Sequence, residues 1–180
     1  MLQVLQSAAP GAWSLKMPSH ALHLDALLSV FPDARLVWAH RDPFRATASA
    51  LGMYQMSRAR LCGPDVDRAP LIAANLRQLA AHVERPLRTR ERIGDARFFH
   101  LHYADLLRDP IGQMRALYDW AGDDLTADVE RAMRDWLVDN PQDRFGVRPY
   151  SLDAYGLTVA ELEPLYAEYL STFAIELEAV

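Results

Sequence analysis

Arg41 and Ser49 stand eight residues apart in the stretch HRDPFRATAS, residues 40–49, directly behind the apolar run ARLVWA. Such a run reads as a buried strand. A strand that ends in His40, Arg41, Asp42 and Pro43 invites three readings: a kinase-type catalytic loop, an anion site at a strand-to-helix turn, or the plain start of a helix. A kinase loop places a metal-binding asparagine five residues after its aspartate. That place holds Thr47, and neither Asp-Phe-Gly nor a glycine-rich loop occurs, so the kinase reading fails. In open α/β sheets, ligands gather at the carboxyl ends of strands. A guanidinium there is shaped for phosphate, and Ser49, about two helical turns on, can donate to the same anion. In the plain reading Arg41 pairs with a nearby carboxylate and Ser49 faces solvent. Spacing leaves both open.

The elements that must position these residues follow from periodicity and breakers. Residues 1–8 read as a helix tail broken at Pro10-Gly11, and 12–16, AWSLK, as a short strand. Leu24, Leu27, Leu28 and Phe31 predict a helix over 20–31, ended by Pro32-Asp33. The strand over 34–39 comes next. Asp42 then caps a helix to about Arg60, with Pro43 in its first turn. GPD at 63–65 makes a turn, and a long helical stretch over 67–92 is expected to bend or break at Pro86. RFFHLH, 97–102, reads as a third strand. Helices over 104–108 and 110–121 hinge at Asp109-Pro110, and Thr126 caps another that Pro141 ends. A closing helix spans 158–173. Trp120 and Trp136 fall at helix-face spacing and are expected in the core. Strands alternating with more numerous helices predict a single α/β domain over 1–180, built on a small parallel sheet.

Bulk properties exclude several classes. The formal net charge is −5 over 180 residues, which argues against a general nucleic-acid binder. The lone cysteine, Cys62, rules out an internal disulfide and fits a reducing compartment. No apolar run of about 18 residues predicts a membrane span, and the start is too polar for a signal peptide. Cytoplasm is the expected location. His100 and His102 share a strand face, but no third ligand is evident, so no metal site is expected.

Arg41 and Ser49, at the end of LVWAHRDPFRATAS, resemble the 3'-phosphate-binding segment of PAPS-dependent sulfotransferases. The resemblance extends in order along about 13–173. WSLKMPSH is similar to the tryptophan–leucine–lysine segment of the bacterial branch, HYADLLRDP to its tyrosine–acid–leucine segment, and RPYSLDAYGLT to its late loop. It implies a helix-rich, three-layer P-loop-like fold. It also implies transfer of a sulfuryl group from PAPS to a hydroxyl of a small molecule, lipid or glycan, leaving PAP.

Such transfer needs a base for the acceptor hydroxyl and a cation for the leaving phosphate oxygen. The resemblance places Lys16 as the cation and His20 as the nearest base, although the cytosolic members' base position, two after the lysine, is Pro18 here. His23 reads as an ordinary helix residue. Tyr103 falls near the adenine, and Arg148 and Tyr150 lie in a loop able to close over the nucleotide.

One segment of the family pattern has no counterpart. The 5'-phosphosulfate loop is a cradle of backbone amides at a helix amino terminus, and no GxxxxGK[ST] or Arg-x-Gly-Thr-Thr run occurs. The expectation is an amino-terminally truncated sulfotransferase domain with an exposed sheet edge and a possible homo-oligomer. The alternative is a non-catalytic homologue that binds a partner chain, or only the 3'-phosphate end of the nucleotide.

Overall fold

The computed structural model describes residues 8, 11, 13–63, 69–142, 144, 146 and 151–178. All but residue 8 of the expected helix tail over 1–8, most of the 63–65 turn, and Arg148 and Tyr150 lie outside them. The architecture is α/β. β1 (Leu36–His40) and β2 (Phe98–His102) form a parallel pair. Around it lie α1 (Leu24–Val30), α2 (Pro43–Cys62), α3 (Ala69–Ile93), α4 (Tyr103–Arg108), α5 (Pro110–Ala121), α6 (Ala127–Asp139) and α7 (Val159–Phe173).

β1 and β2 pair in step, Leu36 with Phe98 through His40 with His102. Alternation then sorts their side chains. Trp38, His40, Phe98 and His100 share the face that meets α7, where the Phe173 ring lies 5.0 Å from Trp38 and 4.2 Å from His40, centroid to centroid. On the other face Phe99 packs against Trp120 of α5, 5.7 Å between centroids. The pair is thus sandwiched between α7 and α5, a three-layer arrangement, while Val37 on β1 remains half exposed.

α7 carries the core stripe. Leu162, Tyr166, Tyr169 and Phe173 recur every three or four residues and all are buried. Leu162 and Tyr166 meet Phe44 of α2, and Tyr169 and Phe173 meet Leu87 of α3. Burying a side chain of this size contributes about 1.5–3 kcal/mol. Between α2 and α7 the hydroxyls of Thr47 and Tyr166 are 2.8 Å apart and buried, so each satisfies the other.

Helix starts follow local chemistry. Asp42 caps α2, its Oδ1 accepting from the N–H groups of Phe44 and Arg45, with Pro43 as the first helical residue. Thr126 caps α6, and Thr158 with Glu161 forms a capping box on α7.

Four expectations are corrected. AWSLK forms no strand over 13–16: nothing among the described residues offers it a ladder partner, and Trp13 and Leu15 are exposed. The helix expected over 20–31 is two pieces, a 3-10 turn at Pro18–Leu22 and then α1, because the chain starts to turn early at Pro18 and leaves helical geometry at His23. α3 runs through Pro86 without a break; Pro86 and Leu87 are buried, and that packing offsets the missing hydrogen bond. Trp136 is 61% exposed, on the outer face of α6. Among the described residues no helix is long and apolar enough to cross a membrane.

Candidate functional site

The in-step pairing of β1 and β2 decides what stands at their carboxyl ends. His40 opposite His102 makes Arg41 and Tyr103 the residues that follow the two adjacent strands. The Arg41 guanidinium lies over the Tyr103 ring, 4.3 Å from its centroid, a cation–π contact. The Tyr103 hydroxyl in turn accepts from Gln142 Nε2 at 2.8 Å. Strand register thus supplies Arg41 with an aromatic shelf.

Arg41 is already holding an oxyanion. Its Nε and a terminal nitrogen donate to the two oxygens of Glu178 at 2.5 and 2.8 Å, a fork-to-fork pair. The Glu178 backbone N–H donates to Asp42 Oδ2 at 2.9 Å, so Asp42 caps α2 with one oxygen and anchors the carboxyl-terminal segment with the other. The hydrogen bond with Glu178 raises the Arg41 pKa further, and Arg41 in turn holds the Glu178 carboxyl below its ordinary range. These groups border a cleft of about 350 Å³ that also takes in His102, Asp105, Arg108 and Glu176. Arg108 pairs with Asp105 at 2.8 Å and reaches Glu176 at 3.4 Å.

Behind the cleft runs a line of polar groups, buried at His40 and Tyr169 and exposed at Asp95. His40 is 1% exposed. Its Nε2 is 2.7 Å from His100 Nδ1 and its Nδ1 3.2 Å from the Tyr169 hydroxyl. His100 Nε2 lies 2.9 Å from Asp95 Oδ1, and Arg90 pairs with the same carboxylate. Burial, then repulsion from His100, His102 and Arg90, pushes the His40 pKa down to about 3. Burial pushes the Tyr169 hydroxyl up to about 12. Asp95 is held low, chiefly by Arg90 and then by His100.

A second cavity, of about 530 Å³, opens between the later half of α2 and the start of α3. Its walls include Leu51, Tyr54, Leu61, Leu71, Ile72 and Tyr155. It begins two residues past Ser49 on the same helix.

Of the residues singled out from sequence, Arg41 and Tyr103 are in contact at the strand ends. Ser49 is half-buried on α2. Lys16 is exposed in an irregular segment and His20 is half-buried in the 3-10 turn; neither lines either cavity. Sequence reasoning missed Glu178, Tyr169, His40 and Asp95. The shared face of His100 and His102 was a partial signal, but it becomes a cluster only when β1 is laid beside β2.

A family model described as "Sulfotransferase family" matches residues 1–127. The chain belongs to the sulfotransferase family. Among solved relatives it is similar to the sulfotransferase STF9 of Mycobacterium avium, at 54% identity and a TM-score of 0.90 over 99% of this chain and 46% of that one. The sulfotransferase STF1 of Mycobacterium tuberculosis H37Rv matches at 28% identity and a TM-score of 0.72, over 91% of this chain and 41% of that one. The omega-hydroxy-beta-dihydromenaquinone-9 sulfotransferases Stf3 of Mycobacterium bovis and Mycobacterium tuberculosis are each 30% identical over 151 residues. The chain spans 36% of the length of those two sulfotransferases and 82% of itself is matched. The small parallel sheet and its helical layers are those of sulfotransferase structures, a P-loop-like fold. The family match takes in Arg41, Ser49 and Tyr103; Tyr169 and Glu178 lie beyond it.

Proposed function

We propose that the cleft at the end of β1 holds the 3'-phosphate of PAPS or PAP, and that the chain works in sulfuryl transfer to a hydroxyl acceptor. The observation that carries this is the bidentate grip of Arg41 on a carboxylate, over Tyr103, at the carboxyl end of a parallel strand. A guanidinium fork that fits a carboxylate fits two phosphate oxygens equally. Ser49 supplies a second donor to that phosphate, and Tyr103 lies toward the adenine. Arg148 and Tyr150 close over the nucleotide. In the transfer, His20 takes the proton of the acceptor hydroxyl as the new oxygen–sulfur bond forms. The bond from sulfur to the 5'-phosphate oxygen breaks, and Lys16 offsets the charge left on that oxygen.

Titration calorimetry with PAP and with adenosine 5'-phosphate, which lacks the 3'-phosphate, tests the nucleotide reading. PAP is expected to bind about ten- to a hundredfold more tightly, the worth of one or two charge-assisted hydrogen bonds. Equal affinity for the two nucleotides would overturn it.

The acceptor is an apolar molecule bearing a hydroxyl. The cavity beyond Ser49 is walled mainly by leucine, isoleucine, alanine and tyrosine side chains, with Gln55, Ser57, Arg58 and Asn75 among them, a mostly apolar lining that suits a hydrocarbon bearing one polar group. The Stf3 relatives are named for a menaquinone-derived acceptor. Cys62, exposed and on the cavity wall, is the chain's one cysteine and a ready probe. An environment-sensitive fluorophore on Cys62 should change its emission with a long-chain alcohol and not with a monosaccharide; the opposite pattern would remove the apolar acceptor.

A further inference from the structure

Arg41 lies between the last residue of β1 and the cap of α2, so neither ladder nor helix takes its peptide N–H. The Tyr169 hydroxyl takes it, at 3.3 Å. The groups behind Tyr169 determine which way each hydrogen bond runs. Asp95 is held as a carboxylate and can only accept. His100 Nε2, at 2.9 Å, therefore carries a proton. In the tautomer that turns Nε2–H to Asp95 and leaves Nδ1 bare, His100 accepts from His40 Nε2 at 2.7 Å. His40 is neutral at any ordinary pH, since burial holds its pKa far down. Its Nδ1 is left as the acceptor for the Tyr169 O–H at 3.2 Å. The Tyr169 oxygen, its proton spent on His40, keeps lone pairs for Arg41 N–H. The competing bond from Tyr169 to the Arg41 carbonyl is longer, 3.5 Å. Four hydrogen bonds thus run in one sense, from the Arg41 peptide through Tyr169, His40 and His100 to the Asp95 carboxylate.

The line is buried at its middle and exposed at Asp95, and its bonds through His40 and Tyr169 join residues 60 to 129 positions apart. Breaking a bond made by His40 or Tyr169 strands a buried donor or acceptor, so the line acts as one stiff strut between Asp95, in the turn just ahead of β2, and the root of Arg41. An arginine that must present a planar fork gains most from a fixed root, because its long side chain otherwise samples many rotamers. We propose that Tyr169, held by His40, His100 and Asp95, is the positioning residue for Arg41 and sets how its guanidinium meets the nucleotide's 3'-phosphate. Asp42 fixes the other side of the same turn through the α2 cap, which leaves Tyr169 as the group that acts on the Arg41 peptide itself. The inference rests on the nucleotide reading above.

A double-mutant cycle on the full chain tests it, with PAP as ligand and Tyr169→Phe, Arg41→Ala and the double variant compared. Tyr169→Phe keeps the ring and its packing. It should weaken PAP binding roughly tenfold while adding no further loss in the Arg41→Ala background. Wild-type affinity in Tyr169→Phe, or an equal loss with and without Arg41, would overturn the proposal.

NMR on the same proteins separates this from failure of the nucleotide reading. Both His40 and His100 should be Nε2–H tautomers. The Arg41 amide should exchange faster in Tyr169→Phe than in wild type, with the α2 amides unchanged. If PAP fails to bind wild type while the Arg41 amide loosens in this way, the nucleotide reading fails and the positioning role stands. An Arg41 amide indifferent to Tyr169→Phe overturns the positioning role whatever PAP does. Should Tyr169→Phe not fold, His100→Leu removes the acceptor for His40 and should reproduce the loss. His100→Asn, whose Oδ1 replaces the Nδ1 acceptor, should restore it; equal behaviour of the two His100 variants would overturn the proposal.

Discussion

Arg41→Ala is expected to lower the affinity for PAP by about 100-fold, and Glu178→Gln to raise it up to about fivefold. The first figure follows from losing a bidentate, charge-assisted contact, each bond of which is worth about 1.5–3 kcal/mol, against 1.4 kcal/mol for each factor of ten. The second follows from competition. Glu178 occupies both arms of the Arg41 fork, so a phosphate must displace it. Its carboxyl is held below the ordinary range, so it stays ionised and competes at neutral pH. The pair is part-exposed, with side chains 42% and 31% accessible. Such pairs are worth about 0–1 kcal/mol, which caps the gain on removing the charge at about fivefold. Both affinities come from the same calorimetric titration at fixed ionic strength. A Glu178→Gln protein that binds PAP more weakly than wild type would show that Glu178 holds Arg41 in its pose rather than standing in the phosphate's place.

Lowering the pH from 6.5 to 5 is expected to lower the thermal unfolding midpoint, with His40 as the main cause. The His40 pKa is pushed from 6.5 down to about 3 in the folded chain. Between those values the unfolded state binds a proton that the folded state refuses, so stability falls as the pH drops. Full titration of one such group costs about 1.4 kcal/mol per pH unit. For a chain of this size that is about 3–6 °C per unit. The carboxylates held low, Asp95 and Glu178, act in the same direction but only in the acid range below. The interval from 6.5 to 5 therefore isolates histidine. His40→Phe should be less stable overall, since it strands His100 and Tyr169, yet its midpoint should depend less on pH across that interval. An unchanged slope in His40→Phe would clear His40 of the effect.

Local rules carried much of the reading. Asp42 and Thr126 were recognisable as caps because the bonds they make reach only two or three residues along the chain. The same holds for the two strands and for the closing helix over 158–173. The failures were of another kind. Whether AWSLK is a strand depends on a neighbour to pair with, and whether Pro86 breaks α3 depends on what packs against it. Neither quantity is local.

The candidate site divides along the same line. Arg41 at the end of an apolar run, with Ser49 eight residues on, was a property of the sequence alone, and so was the family it resembles. That spacing could not tell an anion site from an arginine paired with a carboxylate; in the folded chain Arg41 borders a cleft and is paired with Glu178, 137 residues away. The Tyr103 shelf needed the in-step parallel register, and the line from Tyr169 to Asp95 needed β1, β2 and α7 in their final places. The sequence by itself determined the family resemblance, the candidate residues it brings and the short elements that present them, because those depend on residue types and on backbone bonds spanning a few residues. Only the tertiary structure decided which of them meet, because register and packing set the distances between residues that are far apart along the chain.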